Sequence, residues 1–224
     1  MCVLAIIPAR KGSVRLPNKN KKSLRGIPLI EWSINTAKKL KFVDDIIITT
    51  NDQKILKRLK KKNFSTKVLN RPNSLSKNNS KMIDVIIHAI KHYEKKFKKI
   101  KTILLLQPTS PLRSIKMINL GYQKYLQFNK KKSIISVSTG KNPLKRLFEI
   151  KKKKLKLFKG KDSTNKLFQI NGNFYFASVN FINKYKSFFK EGISHPVILN
   201  SKKLSIDIDT FKDFEKAEEY LQNS

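Results

Sequence analysis

Val3-Leu4-Ala5-Ile6-Ile7, followed by Pro8 and the loop Ala9-Arg10-Lys11-Gly12-Ser13-Val14-Arg15-Leu16-Pro17-Asn18-Lys19-Asn20, is the stretch that decides the fold. Five successive apolar residues leave no polar face. Such a run suits a strand buried on both sides, as in a parallel sheet covered by helices. Working outward, Leu29 to Leu40 places Leu29, Ile30, Ile34, Ala37 and Leu40 on a helical period. Asp45 to Thr50 reads as a second strand and Gln53 to Lys62 as a helix carrying Ile55, Leu56 and Leu59. Lys67-Val68-Leu69 is a short strand before a polar loop, and Met82 to Phe97 is a helix. Thr102 to Leu106 is another buried strand, a helix follows around Ile115 to Phe128, and a strand at Ser133 to Ser138. This alternation predicts an α/β fold, doubly wound, with a mostly parallel sheet and helices on both faces. Ligands of such sheets bind beyond the carboxyl ends of the strands. The unusual loops, after Ile7, Thr50 and Leu106, are at those ends.

Downstream the pattern changes. From Lys141 to Lys166 the chain reads as a hairpin or extended arm, with Lys151 to Lys154 a charge run between Phe148 and Leu155. An arm that pairs with another subunit and a surface loop are both open readings. Gly172 to Ala177 returns to strand character, Val179 to Phe189 is expected to be helical, and Phe211 to Leu221 is a closing helix. There is no internal repeat, and 224 residues suit one domain better than two.

Bulk properties limit the function classes. The formal charge is +35, which would ordinarily suggest nucleic acid as partner. Seven arginines stand against 43 lysines, and the lysines are spread along the whole chain. Lys, Asn and Ile share AT-rich codons, so genome composition is a sufficient source of this charge. Arginine is the preferred reader of bases, and its scarcity argues against a nucleic-acid partner. No apolar run approaches the ~18 residues of a membrane span. Val3 to Pro8 lacks the basic flank and small-residue cleavage site of a signal peptide. A single cysteine, Cys2, excludes an intrachain disulfide, and the cytoplasm is the expected compartment.

The first loop carries chemistry. Gly, Ser, two Arg and two Lys at the mouth of a parallel sheet suit a triphosphate, small residues admitting it and cations neutralising it. A basic surface loop is the plainer alternative. The loop is neither GxxxxGK[ST] nor GxGxxG. A second candidate is Ser205-Ile206-Asp207-Ile208-Asp209-Thr210. In extended chain, i and i+2 share a face, so Asp207 and Asp209 project together while Ile206 and Ile208 face the core. Two carboxylates opposite a phosphate loop suit a Mg²⁺ site. The competing role is helix capping, since Asp209 or Thr210 precedes Phe211-Lys212-Asp213.

The blocks also carry a resemblance. Pro8-Ala9-Arg10-Lys11-Gly12-Ser13 with Pro17-Asn18-Lys19-Asn20 resembles the nucleotide-binding signature of sugar nucleotidyltransferases, specifically of acylneuraminate cytidylyltransferases. Gly26-Ile27-Pro28-Leu29-Ile30, Leu69-Asn70-Arg71-Pro72, Leu105 to Arg113 (LLQPTSPLR), Asn171-Gly172 before Phe174-Tyr175, and Ser205 to Thr210 resemble further blocks of that family in order. Together they run from Pro8 to Thr210, so the resemblance covers essentially the whole chain.

The resemblance implies a Rossmann-like nucleotide-diphospho-sugar transferase fold with a small protruding dimerisation arm at about 141–168. It implies attack by the anomeric hydroxyl of a sialic-acid-type nonulosonic acid on the α-phosphorus of CTP, releasing pyrophosphate. Legionaminate, pseudaminate and the eight-carbon KDO are alternative acceptors. Arg10, Ser13, Lys19 and Asn20 would hold the phosphates and ribose, and Arg71 would lie near the cytosine. Gln107, Lys145 and Asn171 would meet the sugar. Asp207 and Asp209 would hold Mg²⁺, with Mn²⁺ as substitute, and Arg10, Lys19, Asp207 and Asp209 form the catalytic set. A homodimer is implied.

Three positions depart from the family pattern. Asn51 in Thr49-Thr50-Asn51-Asp52 removes a negative charge. Gln107 stands where wider relatives place a metal-binding Asp. Phe168-Gln169-Ile170 lacks an arginine often found before the Asn-Gly pair.

Overall fold

The computed structural model describes residues 2–62, 64–140, 146–160 and 166–222. The chain begins with β1 (Val3–Pro8), the two-residue strands β2 (Ser23–Leu24) and β3 (Ile27–Pro28), and α1 (Leu29–Lys38). Next come β4 (Asp45–Thr50), α2 (Gln53–Lys62), β5 (Lys67–Asn70), α3 (Met82–Lys96) and β6 (Thr102–Leu105). Then follow α4 (Ile115–Gln127), β7 (Ile134–Thr139), β8 (Phe148–Lys151), β9 (Lys154–Leu157) and β10 (Phe168–Ser178). The chain closes with α5 (Val179–Tyr185), β11 (His195–Ile198) and α6 (Phe211–Gln222).

The main sheet has the order β11-β7-β10-β6-β1-β4-β5, and the hairpin β8–β9 joins it through β8 and β10. β1 pairs parallel with both β4 and β6, β4 with β5, and β11 with β7. β10 alone on this path runs antiparallel, to β6 and β7. The sheet is therefore mostly parallel, as the alternation predicts.

Every residue of β1 is buried. Val3, Ala5 and Ile7 share one face with Ile30 and Ile34 of α1, Ile55 and Leu59 of α2, and Tyr125 of α4. Leu4 and Ile6 share the other with Ile86, Ile90 and Tyr93 of α3 and Ile182 of α5. Each fully buried aliphatic side chain contributes roughly 1.5–3 kcal/mol relative to exposure, so a one-residue slip of β1 would be very costly.

A third cluster positions the site. Leu16, Leu24, Leu29 and Leu112 pack with Ile206, Ile208 and with Phe214 and Ala217 of α6. It ties together the basic loop, the small β2–β3 hairpin, the loop after β6 and the segment before α6.

Several expectations need correction. β11 and the β2–β3 hairpin were not predicted, and β10 starts at Phe168 rather than at residue 172. The helix expected to reach Phe189 stops at Tyr185, because Lys186 adopts φ +47° and ends it in the left-handed conformation. Within the expected arm the described residues form the β8–β9 hairpin, whose Phe148 and Leu155 are buried against Ile135, Val137 and Phe168. Its tip, Lys152-Lys153, has φ +49° and +60°. Among the described residues no helix is long and apolar enough to cross a membrane.

Candidate active site

The chain goes from β1 to β4 on one side and returns to β6 on the other, so the sheet reverses direction of growth between β1 and β6. That switch point is where an open α/β sheet leaves a crevice. Here the crevice is lined by Arg10, Ser13, Arg15, Lys19 and Asn20 from the loop after β1, by Arg71 after β5, by Gln107 and Thr109 after β6, and by Asp209. Four cations face one carboxylate among these lining residues, a charge balance suited to a polyanion.

The basic loop is tied down at several points. Asn20, buried, donates its amide to the Arg10 carbonyl at 2.9 Å. Lys11 N–H donates to Asn51 Oδ1 at 2.8 Å, so Asn51 holds this loop through a neutral carbonyl oxygen. Arg10 Nη1 reaches Asn78 Oδ1 at 2.7 Å, and Lys21 pairs with the buried Asp52 at 2.8 Å. Gly12 has φ +83°, where a side chain would be strained. Arg71 is buried, its Nη2 donating to the Thr49 carbonyl at 2.7 Å and its Nε to Thr49 Oγ1 at 3.3 Å. Burial, and then the charge of Arg10, lower its guanidinium to about 10, and it remains a cation at neutral pH.

Ile206 and Ile208 are buried in the third cluster while Asp207 and Asp209 are partly exposed, so the alternation expected of this segment holds. Ile208 N–H donates to the Thr109 carbonyl at 2.7 Å, fastening the segment to the loop after β6. The capping question is answered by Thr210 and Asp213. Asp213 N–H donates to Thr210 Oγ1 at 3.3 Å, and Asp213 Oδ2 accepts from the Thr210 N–H at 2.8 Å. This reciprocal pair resembles a capping box and leaves the Asp209 side chain to other work. Asp209 accepts Lys19 Nζ on Oδ1 at 2.8 Å and Arg15 Nη2 on Oδ2 at 3.0 Å.

Gln107 and Asn171 are brought together by a device that sequence reasoning quoted but gave no role. Arg113 donates Nε to the Asn173 carbonyl at 2.7 Å, Nη1 to Ser33 Oγ at 3.0 Å, and Nη2 to the Gln107 carbonyl. Burial lowers its guanidinium to about 9. Three planar donors on three separate segments explain why arginine, and not lysine, stands there. The signal was available: it is one of only seven arginines.

β10 is irregular between Ile170 and Tyr175 in its pairing with β7. Gly172 has φ +78° there, and a Cβ on it would lie 2.8 Å from Gln107 Oε1 and 3.8 Å from Asp207 Oδ1. The close approach that glycine permits thus seats Gln107 and Asp207 against the same backbone turn. Asn171 Oδ1 accepts from Ser136 Oγ at 2.7 Å and from the Asn173 N–H at 3.2 Å, which fixes the amide's orientation. Its Nδ2 has no partner among the described residues.

A second cavity adjoins the first. It is lined by Gln169, Asn171, Asp207, Lys202 and Lys216, and it shares Arg15 and Asp209 with the crevice. Lys145, expected at the sugar, lies outside the described residues. Asp207 and Asp209 offer hard carboxylate oxygens, the donors Mg²⁺ and Mn²⁺ prefer. Among the described residues there is no cluster of three or more His, Cys, Asp or Glu to hold a metal unaided. A divalent cation held by this pair would have to take its remaining oxygens from a phosphorylated substrate and water.

A crevice at the switch point of such a sheet, basic on one wall and acidic at its junction, is that of a nucleotidyltransferase, and the chain belongs to the cytidylyltransferase family, whose family model matches residues 4–224. It is 32% identical to the CMP-N,N'-diacetyllegionaminic acid synthase of Legionella pneumophila, over 99% of this chain and 97% of that protein. It is 28% identical to the N-acylneuraminate cytidylyltransferase of Escherichia coli, over 96% of this chain and 51% of that protein. A solved structure of CMP:2-keto-3-deoxy-manno-octonic acid synthetase complexed with CTP has the same fold, with a TM-score of 0.79 at 14% identity, covering 100% of this chain and 99% of that one.

Proposed function

We propose that this cytidylyltransferase transfers CMP from CTP to the anomeric hydroxyl of a sialic-acid-type nonulosonic acid, releasing pyrophosphate. One observation carries the reading. The crevice with the triphosphate-type loop and the cavity with Asn171, Gln169 and Asp207 are separate spaces that meet at Asp209 and Arg15. Two half-sites meeting at one carboxylate suit a nucleotide donor and a second substrate that attacks it. The relatives' activities support a nonulosonic acid as that substrate.

In the mechanism that follows, Arg10, Ser13 and Lys19 bind the β- and γ-phosphates, and Asn20 keeps their loop closed. Arg71 presents a fixed guanidinium toward the base. Gln107 and Asn171 orient the sugar so that its anomeric oxygen faces the α-phosphorus in line with the departing pyrophosphate. Alignment and charge stabilisation carry most of such a transfer. Lys19 and Arg10 offset the charge that grows on the leaving pyrophosphate, and Asp209, which lines both spaces, would aid removal of the attacking hydroxyl's proton. A Mg²⁺ held by Asp207 and Asp209 would neutralise phosphate charge and acidify that hydroxyl. We place the reaction in the cytoplasm, where CTP is made.

Pyrophosphate release with each nucleotide against a panel of nonulosonic acids and KDO tests this reading. CTP is expected to exceed UTP, ATP and GTP by at least about 100-fold, the scale of two lost hydrogen bonds in a dry site. Equal turnover with UTP would remove cytosine recognition, because the pyrimidines differ at N3 and C4.

We further propose a homodimer built through the segment 141–168. Its hairpin runs beside the start of β10, where Gln169 lines the second cavity, so a partner seated there would border the sugar. Sedimentation equilibrium is expected to give twice the mass of one chain; a monomer at micromolar concentration would contradict it.

A further inference from the structure

We propose that Arg15 recognises the carboxylate of the acceptor sugar, and that its ion pair with Asp209 is the resting contact it exchanges for that carboxylate. This rests on the acceptor reading above and adds to it a residue and a chemical group.

The argument begins with the acceptor. In the ring form of a 2-keto acid, one carbon carries both the attacking hydroxyl and the carboxylate. The carboxylate therefore sits beside the reacting oxygen, at the junction of the two half-sites and not deep in either. It brings a further negative charge next to a triphosphate and the carboxylates of Asp207 and Asp209. A cation must be at that junction to receive it.

The described residues offer three cations in the second cavity: Arg15, Lys202 and Lys216. Arg15 alone among them also lines the nucleotide crevice. Lys19 lines the crevice but not the second cavity, and its side chain is only 12% exposed. Arg15, in contrast, has a side chain 64% exposed and able to swing. Its Nη2 already lies 3.0 Å from a carboxylate oxygen at the junction, which demonstrates reach to the required place. When Arg15 turns away, Asp209 keeps Lys19 on its other oxygen, so the exchange does not strand a charge. A guanidinium can meet a carboxylate with two parallel hydrogen bonds, a geometry lysine cannot copy.

The test compares wild type, Arg15→Gln and Arg15→Lys in pyrophosphate release, using the best acid of the panel and its carboxamide. Arg15→Gln is expected to raise the acceptor KM at least about tenfold, the scale of a lost charged hydrogen bond, with the CTP KM changed less than about threefold. The wild-type preference for acid over carboxamide should collapse in Arg15→Gln and return in part in Arg15→Lys. Thermal midpoints are expected to match, since the residue is exposed. A rise in the CTP KM with the acid preference retained would assign Arg15 to the triphosphate and overturn the proposal, as would unchanged kinetics. Wild-type enzyme that turns over no acid of the panel would overturn the acceptor reading itself, and the proposed partner of Arg15 with it.

Discussion

Replacing Lys19 by alanine is expected to lower kcat/KM for CTP by roughly 30- to 1,000-fold while the enzyme stays folded. The loss corresponds to about 2–4 kcal/mol, the usual cost of removing one preorganised charge or donor from a transition state. Lys19 lines the crevice, its ammonium held at 2.8 Å from Asp209, so it is already in place when the nucleotide arrives. The same contact argues that stability changes little. A single part-exposed ion pair contributes about 1 kcal/mol or less, and Asp209 keeps Arg15 on its other oxygen. For a chain of this size that is a midpoint shift of about 2–4 °C. Steady-state kinetics and a thermal scan on the same sample decide the matter. Wild-type turnover in the variant would remove the triphosphate role of the loop.

Asp209→Ala is expected to be more severe, with kcat reduced at least about 100-fold and the midpoint lowered by only the few degrees that its ion pairs with Lys19 and Arg15 contribute. The division follows from the capping geometry. Thr210 Oγ1 accepts from the Asp213 N–H, Asp213 Oδ2 accepts from the Thr210 N–H, and Asp209 brings its backbone N–H to within 3.2 Å of the same Oδ2. Alanine keeps that N–H. Were the side chain a helix cap, its loss would cost about 1 kcal/mol of stability and spare catalysis. Asp207→Ala should be impaired too, although less, because Asp207 lines only the second cavity. Chelation by EDTA is expected to abolish wild-type turnover and Mg²⁺ or Mn²⁺ to restore it. Full activity after exhaustive chelation would contradict a metal at these carboxylates.

The parallel core was legible because its signal is local. Val3 to Ile7 is apolar on both faces, and the helices after it carry their stripes at a regular period. The Ile206–Asp209 alternation was legible for the same reason. β11 escaped notice because His195-Pro196-Val197-Ile198 is four residues long and its burial comes from pairing with β7. β2 and β3 are two residues each and make no pattern. The helix stop at Lys186 was invisible, since nothing in a lysine announces φ +47°. In the site, residue types and loops could be read, but not the sharing of Arg15 and Asp209 between two cavities. That depends on how the basic loop meets a segment 194 residues away in sequence.

The Lys152-Lys153 turn has a meaning beyond its hairpin. Two residues there hold a left-handed backbone that Asn-Gly would adopt with less strain, at a cost of about 1 kcal/mol or more each. Lysine has spread even into a position where the backbone disfavours it, so this chain's composition acts as a steady background that only strong demands resist. For five of the seven arginines the demand can be named: Arg10, Arg15 and Arg71 face the crevice, Arg58 pairs with the buried Glu31, and Arg113 fastens three segments. In a lysine-saturated protein, a guanidinium that faces the crevice or fastens three segments marks work that an ammonium does less well.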